Sequence, residues 1–339
     1  MRLRAPLSAG AGLAALLASV AVAVTFGPAD ISTGDVWGSV AAHLGLGGDG
    51  ATVTPLRDGI VWNLRMPRTL LAAVCGAGLA VCGTVMQSLL RNPLADPFVL
   101  GVSSGASTGA VAVVVLGAGG GVVSLSAGAF LGALLSFALV LLIGHTSGGG
   151  TDRVVLSGVA AMQLFSALTS FIVMTSADAE TTRGVLFWLL GSLTGADWGQ
   201  LLFCAAVLAV VLAVCLGHAR TLDAFAFGDE AAAGLGIRVA RTRLILLSAT
   251  ALLTAALVSC VGAIGFVGLV LPHATRLLTG SGHARLLPAV ALTGAVFLVW
   301  VDTAARTLLD PREVPVGVVT SLIGVPAFVA VLHRGRRRT

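Results

Sequence analysis

The 339-residue chain is 57% apolar and 10% charged, with a mean hydropathy of +1.00. A water-soluble domain carries charge on about a quarter of its residues, so a soluble globule is excluded and lipid is the solvent. The formal net charge of +5 comes from 20 arginines without a lysine, set singly or in short clusters between apolar runs, which suits membrane orientation and lacks the basic stripe that nucleic-acid binding requires.

A membrane-crossing helix needs about 20 mainly apolar residues, and the apolar runs predict an all-α, polytopic membrane protein with about ten transmembrane helices, a single transmembrane domain over residues 1–339. The first span, 7–27, follows Met-Arg-Leu-Arg and has the look of a secretory signal with Ala21-Val22-Ala23 as a cleavage site. Its length and the spans that follow favour a retained helix. The others are expected at 69–90, 98–117, 122–144, 154–176, 198–217, 242–261, 263–279, 286–305 and 315–332. With the N-terminus inside, most arginines (Arg91, Arg153, Arg220, Arg238, Arg241, Arg243, Arg276, Arg285 and the tail from Arg334 to Arg338) fall in the cytoplasm. Fewer (Arg57, Arg65, Arg68, Arg183, Arg306, Arg312) fall outside, so both termini are expected to be cytoplasmic. Trp37, Trp62, Trp188, Trp198 and Trp300 then lie near the outer interface. The steps Gly101-Gly105-Gly109 and Gly128-Gly132 let helices approach closely in lipid. Cys75, Cys82, Cys204, Cys215 and Cys260 lack metal-ligand or redox spacing and read as packing residues.

Several segments carry more than span length. Between spans six and seven, residues 220–243 form the longest internal cytoplasmic segment. Asp229 and Glu230, then alanines, then Gly234 and Gly236 predict a short exposed helix ended by a turn, although taken alone the segment also reads as a polar connector. Arg65, Arg68 and Arg306 flank spans two and nine; taken alone they are interfacial arginines reaching for headgroups. Asp302 is the acid placed inside a span, four residues before Arg306. An i,i+4 ion pair explains it, and a proton-coupled secondary transporter using Asp302 is the rival reading. Pro272 beside His273 predicts a broken helix whose freed carbonyl needs a partner, and a lone His without second ligands argues against a metal site. The chain has no G-x-x-x-x-G-K-[ST] phosphate loop, and no nucleophile with a base at usable spacing.

The ordered series Arg65-Met66-Pro67-Arg68, Gly76-Ala77-Gly78, Gly83 to Gln87, Arg91-Asn92-Pro93-Leu94-Ala95-Asp96-Pro97 and Leu100 to Ala106 strongly resembles the FecCD and BtuC family of permeases. So do Trp188 to Leu193, Gly265 to His273 with Arg276, Asp302, Arg306, Pro315-Val316-Gly317 and Gly324 to Phe328, so the resemblance runs from about residue 60 to the end. It implies the membrane subunit of a type II ATP-binding-cassette importer for a metal chelate, with a ferric siderophore first as the commonest cargo, ahead of haem and cobalamin. It implies a homodimer or close heterodimer, two cytoplasmic ATPase subunits that hold ATP and Mg, an extracytoplasmic substrate-binding protein, and no cofactor in this chain. Asp229, Glu230, Ala231, Ala232, Gly234 and Gly236 match the helix that couples to the ATPase. Arg65, Arg68 and Arg306 match arginines that pair with glutamates of the binding protein, a task suited to a guanidinium fork. Asn92, Pro93 and Leu94, with Thr151 and Asp152, match the two cytoplasmic gate loops. A wall of weak polar contacts would suit a bulky chelate, and Ser103, Ser104, Ser107, Thr108, Ser166, Thr169 and Ser170 are the candidates for it.

Overall fold

A computed structural model describes residues 4–27, 29–45, 53–117, 123–146, 151–175, 178–309 and 312–336, and every regular element among them is helical. The chain opens with α1 (Arg4–Ala23) and α2 (Thr33–His43). α3 (Pro55–Gly59) then runs through a π-helical turn, Ile60–Arg65, into α4 (Met66–Leu89). A 3₁₀ turn, Pro97–Leu100, leads to α5 (Val102–Leu116), α6 (Leu125–Thr146), α7 (Thr151–Thr175), α8 (Ala179–Leu189) and α9 (Trp198–Gly217). The short α10 (Ala219–Phe225) and α11 (Asp229–Gly234) precede α12 (Val239–Val261), α13 (Val267–Thr279), α14 (His283–Thr307) and α15 (Val316–Arg336).

Six of these helices are long and apolar enough to cross a bilayer: the continuous Pro55–Leu89 unit, α6, α7, α9, α12 and α14. Shorter apolar stretches in α1, α5 and α15, with α13, occupy the remaining predicted spans. Two boundaries differ from the sequence reading, each for a backbone reason. The span expected from residue 98 begins at Val102, because the Asp96 carboxylate accepts the Phe98 N–H at 2.9 Å to cap the 3₁₀ turn and Gly101 turns the chain at φ 71°. The span expected from 263 begins at Val267: α12 stops at Gly262 (φ 71°), and Phe266 also takes a left-handed φ of 67°. At 1.5 Å per residue, α13 covers about 20 Å of a core about 30 Å thick, so it is a partial span. The sequence reading missed α2, α3, the π-helical turn, α8 and α10, which are short and carry no span-length apolar run.

α4 is the hub. Its side chains from Leu71 to Leu89 are almost all buried, and it packs against α14, α13, α9 and α12. Glycines make the closest approaches. A β-carbon on Gly76 would overlap the Gly294 carbonyl of α14, and one on Gly83 would overlap that of Gly268 in α13. Gly105 and Gly109 of α5 meet Gly132 and Gly128 of α6 in the same way, which is the contact expected from their spacing. Four cysteines are buried and the fifth half-buried, all with free thiols. At one end of the bundle, Trp62 stacks on His43 with centroids 4.1 Å apart and accepts, through its carbonyl, the indole N–H of Trp198 at 3.0 Å. By contrast, α7 leaves Leu156, Leu164, Phe171 and Met174 uncovered, and α15 leaves Leu322 uncovered.

A side chain forced against a facing backbone carbonyl cannot be relieved by a rotamer change. Gly76→Val and Gly105→Val should each cost at least the roughly 1–3 kcal/mol of ordinary overpacking, read as a lower thermal midpoint in detergent. Gly184→Ala, at a site with no atom within 4 Å of the new carbon, should leave the midpoint unchanged or slightly raised.

Candidate functional site

At the tryptophan-bearing end, α1 stops at Ala23 and the chain leaves the helix through Val24–Phe26, where the carbonyls beyond the last turn need donors from elsewhere. Two arginines supply them. Arg306, in the last turn of α14, donates from Nη1 to the Phe26 carbonyl at 3.2 Å and from Nη2 to that of Ala23 at 3.0 Å. Arg65 donates from Nη1 to the carbonyls of Val24 (3.3 Å) and Thr25 (3.1 Å), and from Nη2 to that of Ala29 (2.5 Å). A cation at a helix C-terminus also meets the negative end of its dipole. The fully buried Asp302 faces Arg306 Nε at 3.5 Å, the expected i,i+4 pair, but its closer partner is Arg68, with Nη2 at 2.9 Å and Nε at 3.0 Å. Arg68 Nη1 then donates to Glu313 Oε1 at 2.9 Å, and Glu313 Oε2 accepts from Thr194 Oγ1 at 2.9 Å.

This arrangement corrects the expectation that the three arginines stand exposed. Arg65 and Arg306 are 4% and 3% accessible, and the Arg68 side chain is 11% accessible. Orphan carbonyls and carboxylates of the same chain take the forks first, because an unpaired buried charge is costly in a low dielectric. Asp302 is likewise clasped by two guanidiniums and serves as a brace between α4 and α14. Burial alone would raise the Glu313 carboxyl, but the hydrogen bond and charge of Arg68, with help from Thr194 and Arg306, hold it below the usual glutamate value.

Near the end of α4 remote from the arginine cluster, Pro272 deprives the Gly268 carbonyl of its helical donor. Gln87 of α4 replaces it: Nε2 donates to the carbonyls of Gly268 (3.2 Å) and Leu269 (3.1 Å), while Oε1 accepts from Arg276 Nη1 at 2.7 Å. The broken helix was legible from Pro272; its partner was not, since Gln87 lies far away in sequence. Beside the unwound 263–266 segment a cavity of about 590 Å³ opens between α8 and α15, lined by residues including Leu190, Ala263, Gly265, Ser321 and Val325.

None of the seven hydroxyl residues proposed for a path borders that cavity. Thr108 Oγ1 lies 2.8 Å from Thr169 Oγ1 and donates to the Phe165 carbonyl at 2.7 Å, so this pair fastens α5 to α7. Ser103 and Ser107 sit half-buried on α5, with Ser107 donating to the Ser103 carbonyl at 3.0 Å. Ser104 Oγ is 3.4 Å from Ser166 Oγ, and Ser166 and Ser170 are exposed on α7. Helical hydroxyls can satisfy themselves on the preceding turn, so hydroxyl content alone does not mark a water-filled wall.

At the opposite end, α11 is the short helix expected from Asp229, Glu230 and the alanines, entered through Gly228 (φ 100°) and left through Gly236 (φ 80°). Glu230, Ala231, Gly234 and Gly236 are exposed, whereas Ala232 is buried and Asp229 takes Arg243 Nη2 at 2.7 Å, so these two anchor the helix. Phe227 and Leu235, 81% and 73% accessible, flank it on either side. These two exposed apolar side chains beside the short helix were not singled out from the sequence. Next to this platform, Arg91 (φ 47°) turns α4 into the exposed Asn92–Pro93–Leu94 loop, where Asn92 Oδ1 accepts the Leu94 N–H at 2.9 Å. Burial pushes the Asp96 carboxyl up to about 6, partly offset by the Phe98 N–H. Asp152 is exposed in the first turn of α7. Thr151 opens that helix, but its side chain and the preceding Gly148–Gly150 lie outside the described residues, as do the tail residues Arg337 and Arg338. Gly158 packs on the Val99 carbonyl, which holds α7 against the 3₁₀ turn.

The described residues thus form a bundle of full and partial spans with a short exposed helix at one end. The chain belongs to the FecCD transport family, which matches residues 15–334, and is a permease of the ATP-binding-cassette importer class. It is 44% identical over 278 residues to the cobalamin import system permease BtuC of Halobacterium salinarum, covering 81% of this chain and 73% of that one. It is 40% identical over 283 residues to the hemin transport system permease HmuU of Yersinia pestis, covering 82% and 84%. A solved metal-chelate type ABC transporter in an inward-facing conformation superposes with a TM-score of 0.83 at 29% identity, over 97% of this chain and 99% of that one.

Asp302→Ala leaves two guanidiniums buried without their shared carboxylate. It should cost about 3–5 kcal/mol, the scale of a broken buried pair, read from thermal unfolding in detergent; an unchanged midpoint would refute the brace. Because the folded pKa of Glu313 lies below its unfolded value, its tie stabilises above the ordinary glutamate range and is lost as pH falls through the lowered value. The midpoint gap between parent and Glu313→Gln should therefore be full at pH 7 and shrink below about pH 4.

Proposed function

We propose that this chain is the membrane subunit of an importer that moves a bulky metal chelate inward, working as a pair of permease chains with two ATPase subunits and an external substrate-binding protein. The observation that carries this reading is the platform of α11 with Phe227 and Leu235: a docking face on a chain that has no phosphate loop of its own. ATP and Mg belong to the partner seated there, and small exposed residues at Ala231, Gly234 and Gly236 allow its close approach. The arginine distribution supports a plasma-membrane orientation with this platform and both termini in the cytoplasm.

On the outer side, Arg68 is the one of the three arginines that a partner carboxylate can reach, by displacing the partly exposed Glu313. Arg65 and Arg306 act as braces. The uncovered faces of α7 and α15 would border the path between two copies, with Ser166 and Ser170 on one wall, and the Asn92–Leu94 and Thr151–Asp152 loops would gate its inner mouth. Commonness of cargo puts a ferric siderophore first, but the cobalamin and hemin permeases among the relatives support a corrinoid or haem ahead of it.

The test is reconstitution with the ATPase and binding protein into vesicles, followed by ATP-dependent uptake of labelled cyanocobalamin, haemin and a ferric siderophore. Corrinoid uptake is expected. The double change Phe227→Asp and Leu235→Asp should strip the ATPase during purification and reduce uptake at least tenfold. Siderophore uptake alone would overturn the cargo, and ion-gradient-driven uptake by this chain without an ATPase would overturn the class.

A further inference from the structure

The platform is joined to the end of α4, and so to the gate loop, by a line of hydrogen bonds. Asp223 lies in α10, just before Phe227. Its Oδ1 accepts the backbone N–H of His283 at 2.9 Å and lies 2.6 Å from His283 Nδ1. His283 is the first residue of α14 and is 5% accessible. The other ring nitrogen, Nε2, is 2.6 Å from Ser88 Oγ, one residue before α4 ends. Beyond α4 the chain turns at Arg91 into Asn92–Leu94. The Arg91 guanidinium also lies near the start of α11, close enough that a β-carbon added at Gly228 would stand 3.4 Å from Nη1.

The order of partners, acid, histidine and serine, is that of a hydrolase triad. Here, with Nδ1–H given to the Asp223 carboxylate, Nε2 accepts the Ser88 hydroxyl at 2.6 Å, and Ser88 Oγ also lies 3.0 Å from the Thr84 carbonyl within α4. The histidine between them is 5% accessible and is enclosed by α10, α14 and α4, so the serine stands against helices rather than against a substrate. The line is therefore a tie between α10, α14 and α4. Its mechanical quality differs from that of the neighbouring contacts. Leu222 and Phe225 hold α10 on the bundle by apolar burial, which is non-directional and allows sliding. Short hydrogen bonds to a carboxylate are directional and strong, so they transmit a displacement along their axis.

We propose that Asp223, His283 and Ser88 are positioning residues that carry the movement of the α10–α11 platform to the end of α4, and so to the Asn92–Leu94 gate loop. This rests on the importer reading above, and the parent complex is the control for that reading.

The experiment measures labelled substrate taken up per ATP hydrolysed, using whichever of cyanocobalamin, haemin or a ferric siderophore the parent imports, in vesicles holding the full complex, at equal recovered complex, so that lost folding or assembly does not enter the ratio. Ser88→Ala and His283→Gln should each lower the ratio about fivefold. The double variant should fall no further than the single ones, because both break one line. Ser88→Thr, which keeps the hydroxyl, should stay within twofold of the parent. A Ser88→Ala complex with the parent's ratio, or losses that multiply in the double variant, would overturn the relay while leaving the importer reading in place. A parent complex that hydrolyses ATP but imports nothing would remove the importer reading and the relay with it.

Discussion

In lipid, a backbone carbonyl that loses its helical donor has no water to turn to, and the placement of the polar side chains in this protein follows from that constraint. The end of α1 is closed by Arg65 and Arg306, and the carbonyls freed by Pro272 are closed by Gln87. Each rescuing group then needs compensation of its own. Arg306 and Arg68 share Asp302, Arg68 also takes Glu313, and Gln87 is held by Arg276. The polar network is thus a consequence of irregular backbone, and the helices it joins are those that end or break inside the bundle.

Two kinds of contact divide the bundle mechanically. Glycine contacts, with backbone against backbone, make α4, α13 and α14 one unit and α5 with α6 another. No rotamer change can relieve such contacts, so each unit is stiff. α15 is fastened in the same way at its start, where Gly317 packs on the Leu190 and Ala263 carbonyls, and Gly158 fastens α7 on the Val99 carbonyl. Away from those points α7 and α15 have long uncovered apolar faces, and a cavity opens between α15 and the unwound 263–266 segment. In the importer proposed above, compliance falls to these uncovered faces and to the non-helical stretch before α13.

The two ends differ in chemistry as their tasks differ. The tryptophan-bearing end is cross-linked by charge, which resists separation of α1, α4 and α14. The opposite end presents small and apolar residues on and beside a short helix, the seat proposed for the ATPase, and behind it a hydrogen-bonded line leads to α4. Free-standing charge would make the platform wet and imprecise. Accordingly, Asp229, the acid nearest its buried face, is neutralised by Arg243, and Glu230 points away into solvent.

Fold class, family and the α11 helix were legible in the sequence, because apolar length and ordered local motifs are properties of neighbouring residues. The break at Pro272 was legible for the same reason. What a charged or hydroxyl side chain faces depends on which distant helix lies beside it, and that is decided by packing. Arg68 meets Asp302, Gln87 meets Gly268, and Ser88 meets His283 only because glycines bring α4 onto α13 and α14. From sequence the arginines therefore pointed outward and the threonines lined a path, while the tertiary structure turned the first inward and placed Thr108 and Thr169 in a helix contact. Local periodicity determined what is a span; the close approach of remote backbones decided what each polar group is for.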